Sequence, residues 1–459
     1  MTTVSSHGDD DSLEPPRSYS LQDLIQVLSQ ESTASAHFVD PELERRVLDF
    51  RLAQQKRRQK YGDSQVTGGI FGLYHHLAQT RTDLEWAQDA AWRRQHQAPY
   101  LAWSDYVEAR PQVVRPYFTW ALIAVCAIMM VVEFGLNDWK VEPLSINPLI
   151  GPSAEALVRA GARETSKIVV EGQWFRLFTP LVLHAGLIHY AVNMAALWFI
   201  GGAFEESHGA LYTVLLFLIP GVGGNILSAI FLPQYVSVGA SGGIFGLIGG
   251  CVADITMNWP LLFITTEQND ETSKRQHVRA LIWLVVDIVV NALIGFTPYV
   301  DNFSHLGGLV YGLACGWSII EPLKVNFFGV DASKMKQTQR LIVRFLGLIV
   351  SLVMIIVTTG LLANMDMEQA GPCPGCRYIS CIPFPFGEEK WWYCDDCDRV
   401  TADLYREGEF YNRISLECPN NEVEIIPLPE GQFSVEDKNT LSRKLPSYCR
   451  QYCADRYQS

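Results

Sequence analysis

Val236-Ser-Val-Gly-Ala-Ser-Gly-Gly-Ile-Phe-Gly-Leu-Ile-Gly-Gly-Cys-Val-Ala-Asp-Ile-Thr-Met257 decides the fold class. It is long and apolar enough to cross a bilayer, which takes about 20 mostly apolar residues. Gly239, Gly242, Gly246, Gly249 and Ala253 recur in it at alternating spacings of three and four, a seam of small residues along one helix face. Working outward, similar stretches lie at 117–136, 177–202, 209–232, 278–297, 303–320 and 341–363, most of them separated by short loops. Seven apolar segments predict an all-α polytopic membrane protein. The averages agree: 48% of the 459 residues are hydrophobic and 19% are charged, against roughly 25% charged in an ordinary soluble domain. A net charge of −13 without a concentrated basic face excludes nucleic acid as a partner.

The ends differ from this block. Residues 1–116 hold no apolar run suited to a signal peptide and read as a cytosolic region, disordered to about Arg17 and then helical near 21–28, 41–60 and 74–94. The run Lys56-Arg-Arg-Gln-Lys60 reads as a solvated helix face, and nothing in the region names its partner. Arg93, Arg94, Arg110 and Arg115 precede the first segment; Lys274, Arg275 and Arg279 follow the fourth; Lys324, Lys334, Lys336 and Arg340 follow the sixth. Basic residues favour the cytoplasmic face, so the N-terminus is expected inside and the C-terminus outside. Residues 364–459 carry Cys373, Cys376, Cys381, Cys394, Cys397, Cys418, Cys449 and Cys453. Two Cys-x2-Cys pairs 17 residues apart suit a zinc ribbon, but an extracytosolic tail favours four disulfides of unpredictable pairing. Tyr378, Phe384, Phe386, Trp391, Trp392 and Tyr393 are its expected core. Cys126, Cys251 and Cys315, in the membrane segments, are expected to be free.

Polar groups at membrane depth are costly and mark function. His184, His189 and Asn193 lie in the second segment, Ser241 opens the fourth, and Asp301-Asn-Phe-Ser-His305 opens the sixth. A serine and a histidine on separate helices are parts for acyl transfer. Gly308, Gly312 and Gly316 repeat every four residues beyond His305, so two small-residue seams allow the fourth and sixth helices to bring Ser241 and His305 together. His189 and Asn193, four apart, share a helical face and can aim donors at an oxyanion alongside the Ser241 N–H. His184 and His189 could instead bind metal, and Asp287 with Glu133 could serve a proton or ion pathway in a transporter. No cofactor or metal is expected. Gly239 to Gly243 also satisfies G-x-S-x-G, but without the strand-to-helix context that gives the motif its meaning.

These residues resemble the rhomboid intramembrane serine proteases. The resemblance runs through Gly172-Gln-Trp-Phe-Arg-Leu-Phe-Thr-Pro180, Leu183-His-Ala-Gly-Leu-Ile-His189 with Asn193, Gly239-Ala-Ser-Gly-Gly-Ile-Phe-Gly246 and Val300-Asp-Asn-Phe-Ser-His-Leu-Gly-Gly308. It implies a seven-helix bundle over 117–363 in a six-plus-one arrangement typical of secretory-pathway members, with a Golgi, plasma-membrane or other endomembrane location. It implies a catalytic dyad of Ser241 and His305, with His189, Asn193 and the Ser241 amide as oxyanion donors. Phe245 stands where the family has a ring packed on the histidine, and Gly239, Gly242 and Gly308 support the close approach. Arg176 matches the Trp-Arg motif of the first luminal loop, with Phe175 in the usual tryptophan's place. The implied substrates are transmembrane segments of other proteins within the lipid bilayer; an inactive trafficking or quality-control relative is the alternative.

Overall fold

A computed structural model describes residues 115–144, 147–262, 293–320, 334–366 and most of 376–453, with isolated helical positions between 282 and 291. The helical stretches expected within residues 1–114 lie outside the described residues, as do Asp287 and Cys373. The chain divides into two compact units, one running to Gly295 and resuming over Val300–Cys376, the other comprising Phe296–Tyr299 and Arg377–Ser459.

The first unit is helical: α1 (Tyr117–Leu136), short α2 (Ala154–Ala160) and α3 (Thr165–Val169), α4 (Leu187–His208), α5 (Ala210–Phe231), α6 (Ser241–Leu262), α7 (Asn302–Ile319) and α8 (Lys334–Ala363). By length and composition α1, α4, α5 and residues 341–363 of α8 can cross a membrane, and Ser241–Met257 is a shorter apolar helix. Apolar side chains face outward from the unit, while several polar groups are buried within its apolar core. Ile128 and Val131 of α1 and Val353 and Ile356 of α8 are exposed, while Thr119, Glu133, Asn193, Asn225, Ser228 and Ser304 are buried. That distribution suits a hydrocarbon solvent, where polar groups must find partners inside the protein.

Two of the expected segments start late. The second, expected from residue 177, begins as a helix only at Leu187; Trp174–Leu177 and Thr179–Val182 are 3-10 turns and Leu183 is extended. Proline at the second position of the latter turn and the extended Gly186 hold the chain out of the helix. The fourth, expected from 236, begins at Ser241, because Ser237 pairs with Arg163 through two backbone hydrogen bonds of 3.0 and 3.1 Å in an isolated bridge.

Small residues set the packing. Gly308 of α7 lies against the Gly242 carbonyl of α6, and a Cβ on Gly307 would fall 2.7 Å from Gly224 Cα of α5. Three helices therefore share the seam that the sequence pattern assigns to two. At the other edge, buried Glu205 of α4 accepts from Phe118 N, Thr119 N and Thr119 Oγ1, each at 2.9 Å. Its carboxylate satisfies amides at the first turn of α1, whose N-cap is Pro116 and offers no side-chain acceptor.

The second unit corrects the all-α expectation. It contains a three-stranded antiparallel sheet, β1 (Ala402–Glu407), β2 (Phe410–Glu417) and β3 (Val423–Pro427), in the order β1-β2-β3, followed by α9 (Lys438–Tyr452). Ile414 and Leu416 point to one face of β2 and pack with Ile426, Leu441, Leu445 and Cys449. Buried Tyr411 and Phe433 join this cluster, whereas Trp392 is only half-buried, stacked on Phe384 at 5.5 Å with its indole N–H donating to Ile382 O; Phe386, Trp391, Tyr393 and the Tyr378 side chain lie outside the described residues. Disulfides join Cys381 to Cys394, Cys397 to Cys449 and Cys418 to Cys453, and Cys376 is also disulfide-bonded. Cys126, Cys251 and Cys315 are free and buried.

Candidate active site

The site forms where the N-terminal ends of α6 and α7 meet α4. Ser241 is the first residue of α6, so its N–H has no intrahelical acceptor. Two residues earlier Gly239 takes a φ of +135°, a backbone conformation suited to glycine, and donates its N–H to Pro180 O at 2.9 Å. A Cβ there would lie 2.9 Å from His189 Cε1, 3.0 Å from His189 Nε2 and 3.4 Å from Ser241 Oγ. The bare α-carbon of Gly239 therefore borders both the imidazole and the hydroxyl, and any side chain would enter the space between them.

His189 Nδ1 accepts from Ala185 N at 3.4 Å, which leaves the proton of a neutral ring on Nε2, the nitrogen facing Gly239. Asn193, one turn on, is buried and donates to the His189 carbonyl at 2.9 Å. Its amide retains a second N–H.

His305 lies in the first turn of α7, its N–H donating to Asp301 O at 3.1 Å. Phe245, one turn into α6, stacks on the imidazole with ring centroids 4.3 Å apart and planes 18° apart. His305 Nδ1 is buried without a hydrogen-bond partner among the described residues, so no carboxylate orients the ring through that nitrogen. Nor does a hydrogen bond join the Ser241 hydroxyl to His305 among these residues. Catalytic hydrogen bonds are often long before substrate binds and tighten in the Michaelis complex.

Around this centre Arg176 braces the loop before α4. It is buried and donates to Val158 O at 2.8 Å, Ala162 O at 2.9 Å and Gln173 Oε1 at 2.7 Å, with Phe175 against its guanidinium at 5.3 Å. Glu133 accepts from the His184 N–H at 2.9 Å, and the His184 and His189 rings meet edge-on at 5.4 Å. Arg163, Ser228, Ser237 and Asp301 form a further polar cluster, of which the sequence marks only Asp301 as a polar residue at membrane depth. Asp301 opens the sixth segment, but nothing along the chain links it to Arg163, Ser228 or Ser237.

Residues 171–322, which contain His189, Asn193, Ser241 and His305, match the family model described as Rhomboid domain. Over 332 residues the chain is 31% identical to RHOMBOID-like protein 1 of Arabidopsis thaliana, covering 69% of this chain and 77% of that relative. The chain belongs to the rhomboid family. This rhomboid is also 34% identical over 216 residues to Rhomboid protease GluP of Bacillus subtilis (strain 168), covering 47% of this chain and 37% of that protein. It is 26% identical over 313 residues to Inactive RHOMBOID-like protein 8 of Arabidopsis thaliana, covering 61% and 83% respectively. The family thus includes a named protease and a named inactive member. Family membership makes this a membrane protein related to intramembrane proteases; whether this rhomboid cleaves depends on its own residues.

Proposed function

We propose that this rhomboid is an intramembrane serine endopeptidase that cleaves transmembrane segments of other membrane proteins through a Ser241–His305 dyad. The observation that carries the reading is the shared border at Gly239, where the His189 ring and the Ser241 hydroxyl flank one bare α-carbon while Phe245 holds His305 on the adjacent helix. Ser241 Oγ attacks the scissile carbonyl carbon as its proton passes to the His305 imidazole. The carbonyl oxygen becomes an oxyanion facing the Ser241 N–H, the His189 Nε2–H and the free Asn193 N–H. As the C–N bond breaks, the imidazolium gives its proton to the leaving amine. A water, deprotonated by the same imidazole, then hydrolyses the acyl-enzyme and restores the serine. Because an intact helix commits its carbonyls to i to i−4 bonds, segments that unwind easily are the favoured substrates.

The bundle is read as seven spans over 117–363, with residues 1–116 cytosolic and 364–459 as an extracytosolic domain in a secretory-pathway membrane. Lysine and arginine placement supports that orientation, and so do the tail disulfides, which persist in oxidising compartments. A fluorophosphonate labelling Ser241, with loss of label and of reporter cleavage in Ser241→Ala and His305→Ala variants that still fold, tests the chemistry. Undiminished cleavage by Ser241→Ala in purified proteoliposomes rejects it. A well-folded wild-type chain that neither labels nor cleaves favours an inactive trafficking or quality-control role. Protease protection of the tail in sealed microsomes tests the orientation.

A further inference from the structure

Asp301 sits at the N-cap of α7, four residues before His305, and its Oδ1 accepts from Ser304 N at 3.0 Å. Its other oxygen, Oδ2, accepts from Ser237 Oγ at 2.6 Å and from Ser228 Oγ of α5. Ser237 lies four residues before Ser241, on the strand-like segment that leads into α6. One carboxylate therefore grips the chain entering each of the two helices that carry Ser241 and His305.

A carboxylate in that position needs a counter-charge. Arg163, fully buried, places Nη2 3.6 Å from Asp301 Oδ2 and donates it to Ser228 Oγ at 2.7 Å, while Nη1 donates to Leu232 O at 2.9 Å and Thr165 Oγ1 at 3.2 Å. Its backbone also pairs with Ser237 in both directions. The cluster thus joins the loop after α2, the end of α5, the entry to α6 and the cap of α7. Charged groups held this deep are retained only when paired and hydrogen-bonded, and each oxygen of Asp301 has its donor.

We infer that Asp301, neutralised by Arg163, is a positioning residue that registers the helix of Ser241 against the helix of His305. It acts through the two backbones, and no hydrogen bond ties it to the imidazole, whose Nδ1 makes none among the described residues. The catalytic part of the inference rests on the protease reading; the mechanical part does not.

The test compares full-length wild type, Asp301→Asn and the charge-neutral double variant Asp301→Asn with Arg163→Leu. Asparagine keeps the cap acceptor for Ser304 N but weakens the anchor for Ser237. Hydrogen exchange in detergent is expected to speed up at least tenfold in both segments 237–243 and 302–306 of Asp301→Asn, with α1 unchanged. In proteoliposomes kcat for a single-span reporter is expected to fall at least tenfold, KM to stay within twofold, and the fluorophosphonate labelling rate of Ser241 to fall with kcat. The double variant should regain thermal stability without regaining kcat. Faster exchange in neither segment, or in only one, overturns the inference, as does kcat recovering with stability in the double variant. If wild type neither labels nor cleaves, the protease reading fails, and exchange alone then decides the anchor.

Discussion

Replacing Gly307 by alanine tests the packing on which the site depends. An ideal Cβ at this position lies 2.7 Å from Gly224 Cα, backbone against backbone. Non-bonded carbons pack at about 3.5–4.0 Å, so α5 and α7 must separate by about 1 Å, and no rotamer change can relieve the clash. Overpacking of this kind destabilises by about 1–3 kcal/mol, while alanine in place of a helical glycine returns about 1 kcal/mol through propensity. Gly360 of α8 separates the two terms, because a Cβ there meets nothing within 4 Å. Gly360→Ala should therefore be neutral or stabilising, and the difference between the two variants in reversible unfolding in mixed micelles should be about 1–3 kcal/mol. Gly307 is two residues from His305, and a displacement near 1 Å can lower the rate of an oriented reaction about a hundredfold. Reporter cleavage should fall far more for Gly307→Ala than for Gly360→Ala. Equal stability of the two variants, or full cleavage by Gly307→Ala, refutes the backbone-contact account.

Glu205→Ala leaves the buried Thr119 N–H and hydroxyl without their acceptor and should destabilise the helical unit by about 1–3 kcal/mol in the same unfolding assay, with Glu205→Gln losing less. In the second unit the Cys397–Cys449 disulfide closes 52 residues and Cys381–Cys394 closes 13. Chain-entropy scaling makes the longer closure about 1.2 kcal/mol more stabilising, so the paired Cys397→Ser and Cys449→Ser variant should be digested faster in limited proteolysis of the tail than the Cys381→Ser and Cys394→Ser pair. Equal digestion rates would count against that ordering.

Much of the site is legible along the chain because its parts are local. Ser241 preceded by Gly239, His189 one turn from Asn193, and His305 preceding Gly308 each declare themselves by residue type and spacing. The glycine spacing of α6 and α7 announces close approach, but the participation of α5 through Gly224 is hidden, since its glycines follow no single four-residue register. The strands of the tail are also readable in retrospect: Tyr411, Ile414 and Leu416 turn inward along β2. Cysteine spacing draws attention away from that pattern, and of the aromatic residues expected to fill the core, Phe384 is exposed and Trp392 half-buried. The helix start at Leu187 is set by the 3-10 turns and extended Gly186 just before it, and the start at Ser241 by an isolated bridge to Arg163 far away in the chain, so hydropathy extends both helices too early.

The sequence by itself determined that the chain lives in a membrane, that Ser241 and His305 are its chemical pair of candidates, and that the tail cysteines belong together. Apolar length, small-residue period and cysteine spacing are properties of neighbours in the chain, and they survive without knowledge of the fold. Only the tertiary structure decided which cysteines pair, that Glu205 closes the first turn of α1, and that Arg163, Ser228, Ser237 and Asp301 meet. Each of these joins residues from separate elements. A buried charge reveals its role only through the partner that compensates it, and that partner is chosen by packing in three dimensions.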